Sequence, residues 1–150
     1  MHLDVALCLP HEAETVSLIR GVIAGALETL GITDDCVHDI TLALSEACTN
    51  VVHHADATDE YEVRLQVDDH RCEISVANTG AGFDAASLRG VLADDSSERG
   101  RGVSIMEAVM DRVDFVSEPE SGSIVHLVKL LELLPDGPMA RLARPSDSTP

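Results

Sequence analysis

The period of the apolar residues changes twice along this chain, and those changes decide what it can fold into. Residues 2–9 alternate, setting Leu3, Val5, Leu7 and Leu9 on one side as a half-buried strand does, and Pro10 closes the run. From residue 12 to 30 the spacing turns helical. Val16, Ile19, Ile23, Ala26, Leu27 and Leu30 form a stripe, and Gly31 is placed to take the left-handed conformation past its end. Thr33 then reads as an N-cap, with Asp34 and Asp35 favourable in the first turn of a second helix that runs to about residue 55. Its core-facing residues are Val37, Ile40, Leu44, Ala47 and Val51. Alternation returns at 61–67 and 72–76, joined by a tight connection at Asp68-Asp69-His70. A short helix is expected near 85–92, a third main helix from Gly102 or Val103 to about Met110, and strands at 112–116 and 123–130. Hairpins replace alternating βα units in this order. It predicts an α+β fold, a two-layer α/β sandwich with a mixed, mainly antiparallel sheet and about three helices on one face.

These elements make one domain over residues 1–134, while residues 135–150, with four prolines and scattered polar residues, read as a flexible tail. Aromatic residues are 2 % of the chain and Trp is absent, so the core must be aliphatic and alanine-rich. Lys plus Arg number 10 against 27 acids, a net charge of −17, which opposes direct binding to nucleic acid or an anionic membrane and favours a basic protein partner. A nucleotide ligand is compatible with this charge only if Mg²⁺ and local backbone N–H groups offset it. Cys8, Cys36, Cys48 and Cys72 have no paired spacing and read as reduced, partly buried thiols. There is no apolar run near the ~20 residues a membrane helix needs and no signal peptide, so a cytoplasmic protein is expected.

Chemistry concentrates in three segments. Glu46 and Asn50 stand four residues apart in LALSEACTNVVHHA, on one helix face beside the apolar stripe. A carboxylate there can take a proton from an attacking hydroxyl or water, or it is a solvated acid. An amide oxygen suits Mg²⁺, or the Asn is an ordinary helical residue. Asn78-Thr79-Gly80-Ala81-Gly82-Phe83 comes directly off a strand, where Gly80 and Gly82 permit close passage against a flat ring or simply make a turn. Gly100-Arg101-Gly102 opens a helix, with Val103 next, where free N–H groups and the helix dipole favour phosphate. Arg99 and Arg101 either help with phosphate charge or pair with nearby acids. No Gly-x-x-x-x-Gly-Lys-Ser/Thr run occurs, which excludes a P-loop. His53 and His54 read as polar residues near the carbonyls of a helix end.

In this order, the segments resemble the GHKL superfamily of ATP-binding domains (the Bergerat fold), and within it the bacterial anti-sigma-factor serine kinases. The likeness covers roughly residues 3–130 and is carried by Glu46-Ala47-Cys48-Thr49-Asn50-Val51-Val52-His53-His54-Ala55, which matches the family's Glu-Ala-x-x-Asn-x-x-x-His-Ala box. The resemblance implies Glu46 as general base and Asn50 as the Mg²⁺ ligand. It places Gly80 and Gly82 on the adenine side, Gly100 and Gly102 at the phosphates, Gly122-Ser123 at a Gly-Thr that contacts adenine, and residues 85–98 as a lid. One residue departs from the pattern: the family usually has Asp where this chain has Asn78. Asn still accepts from the adenine amino group but without charge assistance, a loss of about 1 kcal/mol, and its NH₂ can donate to guanine.

Three functions follow as expectations. The first, implied by the resemblance, is a homodimeric anti-sigma factor that binds Mg·ATP, sequesters a sigma factor and phosphorylates a STAS-type antagonist on serine. The second is a non-enzymatic anti-sigma module with a weakened nucleotide site. The third, an ATPase or histidine-kinase fragment, is disfavoured because the chain has neither a phospho-acceptor helix pair nor a second domain to close on ATP.

Overall fold

The computed structural model describes residues 1–54, 60–78, 98–118 and 122–143. Its strands are β1 (Leu3–Pro10), β2 (Glu60–Val67), β3 (Arg71–Asn78), β4 (Arg112–Glu118) and β5 (Gly122–Leu130), and its helices are α1 (Ala13–Leu30), α2 (Asp34–His54), α3 (Glu98–Val109) and α4 (Pro138–Ala143). The sheet order is β1-β2-β3-β5-β4, and every junction is antiparallel, where some parallel pairing was expected. The reason lies in the connections. The chain crosses over through α3 and returns as β4, then β5 folds back by a hairpin into the place between β3 and β4. β3 and β4 therefore share a direction but never pair.

Alternation puts one sheet face against the helices. Tyr61, Val63, Leu65, Val67, Cys72, Ile74, Val76, Val125 and Leu127 are buried there, while their strand neighbours are partly or fully exposed. The helical stripe of α1 buries Ile19, Ile23 and Leu27 as its spacing predicts, with Val16, Ala26 and Leu30 at its half-buried margins. α2 is buried on more sides than its single stripe suggests, because it lies between α1 and α3 and on the sheet; Cys36, Ala43 and Cys48 join the expected residues in the core. Cys48 and Cys72 have their thiols pushed up to about 12 by burial, and Cys36 is raised for the same reason. All four cysteines are unpaired, with Cys8 exposed.

Local rules set the corners. Gly31 takes φ 83°, and Ile32 N–H donates to Leu27 O at 3.2 Å, a Schellman ending for α1. Asp68 Oδ1 accepts from the N–H groups of both His70 and Arg71 at 2.8 Å, which closes the β2–β3 hairpin without a glycine. Thr33 does precede α2, and Val37 N–H bonds its carbonyl, but its hydroxyl is buried and caps nothing among the described residues. The backbone is held instead by Thr33 N–H to Glu132 O and by the Ile32–Leu133 bridge.

The segment after Pro135 departs from its expectation as far as it is described. Residues 135–143 form a turn and α4, Met139 is fully buried, and Leu134 N–H donates to Gly31 O at 2.8 Å. A six-residue helix shows too little periodicity to be read from sequence, and its docking site is remote in the chain.

Candidate functional site

α2 and α3 pack side by side, and their contact brings three of the expected residues together. A Cβ built on Gly102 of α3 would lie 2.9 Å from Glu46 Oε2 and 3.6 Å from both amide atoms of Asn50. Glu46 and Asn50 are one turn apart on α2, so both face the same point on α3. Glu46 is half-buried and Asn50 buried, and Asn50 Nδ2 has no hydrogen-bond partner among the described residues. A buried amide with one end unsatisfied is costly unless something else completes it.

α3 begins four residues before Gly102, at Glu98, so it starts earlier than expected. Arg99, Gly100, Arg101 and Gly102 lie within its first turns, where N–H groups near a helix start lack intrahelical acceptors. Gly100 and Gly102 lie inside the helix rather than at its boundary. A helix tolerates an internal glycine at a cost of about 1 kcal/mol, and here Gly102 is what allows α3 to approach Glu46. Val103 and Met106 bury the core side of α3, and Arg101 is exposed.

A second grouping forms on the sheet. Asn78 ends β3, is 2 % exposed, and is the register partner of Tyr61 on β2 and of Ser123 on β5. Sequence likeness put Asn78 and Ser123 in one adenine site, and the register sets their backbones side by side. The sequence pattern marks Tyr61 only as a strand residue. It is fully buried, stacks on His11 with ring centroids 5.4 Å apart, and shares a hydrogen bond with Thr15. Thr15 Oγ1 donates to the Glu12 carbonyl at 2.7 Å, so the Tyr61 hydroxyl is the donor to Thr15. A Tyr and a Thr 46 residues apart gave no signal in the sequence. Gly80, Gly82 and the lid span up to residue 97 lie outside the described residues, as does the short helix expected at 85–92.

The α2/α3 contact fits a nucleotide-bound Mg²⁺. It offers an amide with an unsatisfied end, a carboxylate beside it, and a backbone with no Cβ in the way. The oxygen and nitrogen of an amide can exchange by rotation, which presents a hard ligand. No three His, Cys, Asp or Glu gather as a metal cage among the described residues. Asn50 would be the residue that holds such a metal, with Glu46 beside it, and Mg²⁺ habitually takes few protein ligands.

The same fold occurs in solved structures. The RsbU and RsbW domains of a Mycobacterium tuberculosis protein superpose with TM-score 0.66 at 18 % identity, covering 87 % of this chain and 33 % of that longer one. A blue-light activated histidine kinase domain from Erythrobacter litoralis gives 0.54 at 15 % identity, covering 81 % and 61 %. In sequence, the histidine kinase-like ATPase domain family matches residues 9–129. Serine-protein kinase RsbW of Bacillus licheniformis is 37 % identical over 141 residues, 85 % of this chain and 87 % of that protein. RsbW of Bacillus subtilis is 34 % identical over 138 residues, 85 % of each. The chain belongs to the histidine kinase-like ATPase domain family and, within it, to the RsbW serine-protein kinases.

Proposed function

We propose that this chain is an Mg·ATP-dependent serine kinase and anti-sigma factor, which sequesters a sigma factor and phosphorylates a STAS-type antagonist on serine. The observation that carries the reading is the approach of Gly102 to Glu46 and Asn50, which assembles an acid, an amide and an open backbone at one point. When bound, Mg·ATP supplies the transferable phosphoryl group and neutralises charge on it. Glu46 accepts the proton of the attacking serine hydroxyl. Asn50 holds the metal-bearing side of the nucleotide, and Asn78 with Ser123 orients the purine. Such catalysis is mainly positioning and electrostatics. The net charge of −17 suits capture of a basic sigma-factor segment rather than nucleic acid. A homodimer in the cytoplasm belongs to this reading. No helix among the described residues is long and apolar enough to cross a membrane.

Asn78 supports a second reading, a stoichiometric anti-sigma module that binds nucleotide weakly or not at all. Calorimetry with ATP, ADP and GTP in Mg²⁺, on wild type and Asn50→Ala, separates the two. The kinase reading expects micromolar ATP binding that Asn50→Ala removes. It also expects Glu46→Ala to abolish phosphotransfer while sparing nucleotide and sigma binding. Absence of binding by both proteins favours the stoichiometric module, and normal phosphotransfer by Glu46→Ala removes Glu46 from the mechanism.

A further inference from the structure

α2 and α3 meet at a second point, away from the site. Lys129 of β5 donates from Nζ to Val109 O at 2.6 Å and to Asp39 Oδ2 at 3.1 Å. Val109 is the last residue of α3, and its carbonyl has no acceptor duty inside the helix. α3 has no basic residue in its own last turn, so a cation delivered from the sheet occupies the place that a C-terminal lysine would take. The Lys129 side chain is 18 % exposed, so its ammonium is largely withdrawn from water and held by these two oxygens.

The spacing gives this clamp its meaning. On α2, Asp39 and Glu46 are seven residues apart (46 − 39); on α3, Gly102 and Val109 are also seven apart (109 − 102). Seven residues are two helical turns, about 10 Å, and return to the same face. The helices are thus antiparallel and pinned twice along one seam, at Glu46/Asn50 against Gly102 and at Asp39–Lys129–Val109. Among the described residues, the first contact is a close approach with no hydrogen bond across it, whereas the second has directional bonds that oppose sliding of α3 along α2.

We propose that Lys129 is a positioning residue for the kinase site. By tying the end of α3 to Asp39 it sets the register of α3 along α2, and with it the approach of Gly102 to Glu46 and Asn50. This inference rests on the kinase reading above and deepens it, assigning a role to a strand residue that touches none of the reacting groups. Displacements of about 1 Å from a distant substitution can lower a rate about a hundredfold.

The test uses the full-length chain with Mg·ATP and a serine-bearing STAS protein, and compares Lys129→Met, Lys129→Arg and Ile19→Val. Ile19 is fully buried on α1, so Ile19→Val is a control for lost stability away from the seam. Lys129→Met should lower kcat about a hundredfold with KM for the protein substrate unchanged. Lys129→Arg, which can still donate to both oxygens, should recover most of it. In a Gly102→Ala background, Lys129→Met should add little, because both act on one distance. The inference is overturned if Lys129→Met loses no more kcat than Ile19→Val, or if its effect multiplies fully with that of Gly102→Ala. Amide exchange of the ligand-free protein separates this failure from failure of the kinase reading. Lys129→Met should raise exchange at Gly102 and Val103 while leaving Leu27 on α1 unchanged. Altered exchange with no nucleotide binding by wild type keeps the clamp and removes the kinase. Unaltered exchange removes the clamp whatever wild type binds.

Discussion

At two glycines of this chain an added Cβ would come within 3 Å of a neighbour, yet the two do opposite work. Gly31 sits at φ 83°, and a Cβ there would meet Gly137 Cα at 2.8 Å and Pro138 Cδ at 3.0 Å. Its neighbours are backbone and a proline ring, which cannot step aside. Gly102 lies inside a helix, and the nearest atom to its missing Cβ is the tip of Glu46, a flexible side chain. The first contact closes a corner between α1 and the segment leading to α4. The second leaves the fold free to tolerate a methyl group but not the chemistry that depends on where Glu46 points. Steric demand alone therefore does not separate a structural glycine from a functional one; the identity of the obstructed atom does.

Substitution separates the two glycines. Gly31→Ala combines an unfavourable left-handed residue with overpacking and should cost about 3 kcal/mol in denaturant unfolding. A loss under about 1 kcal/mol would mean the corner relaxes easily. Gly102→Ala should unfold within about 1 kcal/mol of wild type, yet lose phosphotransfer about a hundredfold by displacing Glu46. Equal losses of stability at the two positions would erase the distinction. Asn78→Asp tests the sheet side of the site. It should strengthen ATP binding by about 1 kcal/mol and raise the ATP/GTP ratio in competition calorimetry. An unchanged ratio takes the purine-reading role from this residue.

The smallest effect concerns a corner built without glycine. The Asp68 carboxyl is held below its ordinary value of 3.8, chiefly by the His70 backbone N–H and then by that of Arg71. Asp68→Ala should cost about 0.5–1 kcal/mol near neutral pH, the worth of exposed side-chain bonds to backbone. Because the folded value is the lower one, this stabilisation is complete above the unfolded carboxyl's value and fades as pH falls through the folded one. The difference between variant and wild type should vanish in acid; a difference that persists there would place the effect in packing.

Legibility followed the range of the interactions involved. The inward faces of β1, β2 and β3 were readable because alternation is a local consequence of the pleat. The ending of α1 at Gly31 was readable because its conformation is one that glycine adopts readily. The start of α3 was misread because Gly100 and Gly102 look like a boundary, and only the neighbouring α2 reveals why a helix would carry them. Met139 looked like part of a polar tail because its burial depends on residues a hundred positions earlier. Tyr61 looked like an ordinary strand residue because its partners Thr15 and His11 come from another part of the chain.

Glu46 and Asn50, as an acid and an amide one turn apart on a helix, were determined by the sequence alone, as were the order of the main elements from β1 to β5 and the family they imply. Helical spacing is a property of the backbone and needs no partner to be true. That Gly102 would be the residue facing them, that β5 would enter between β3 and β4, and that Lys129 would tie α3 to α2 were decided only by the tertiary structure. Each joins positions far apart in the chain, and which of many possible contacts forms depends on how all the buried faces pack at once.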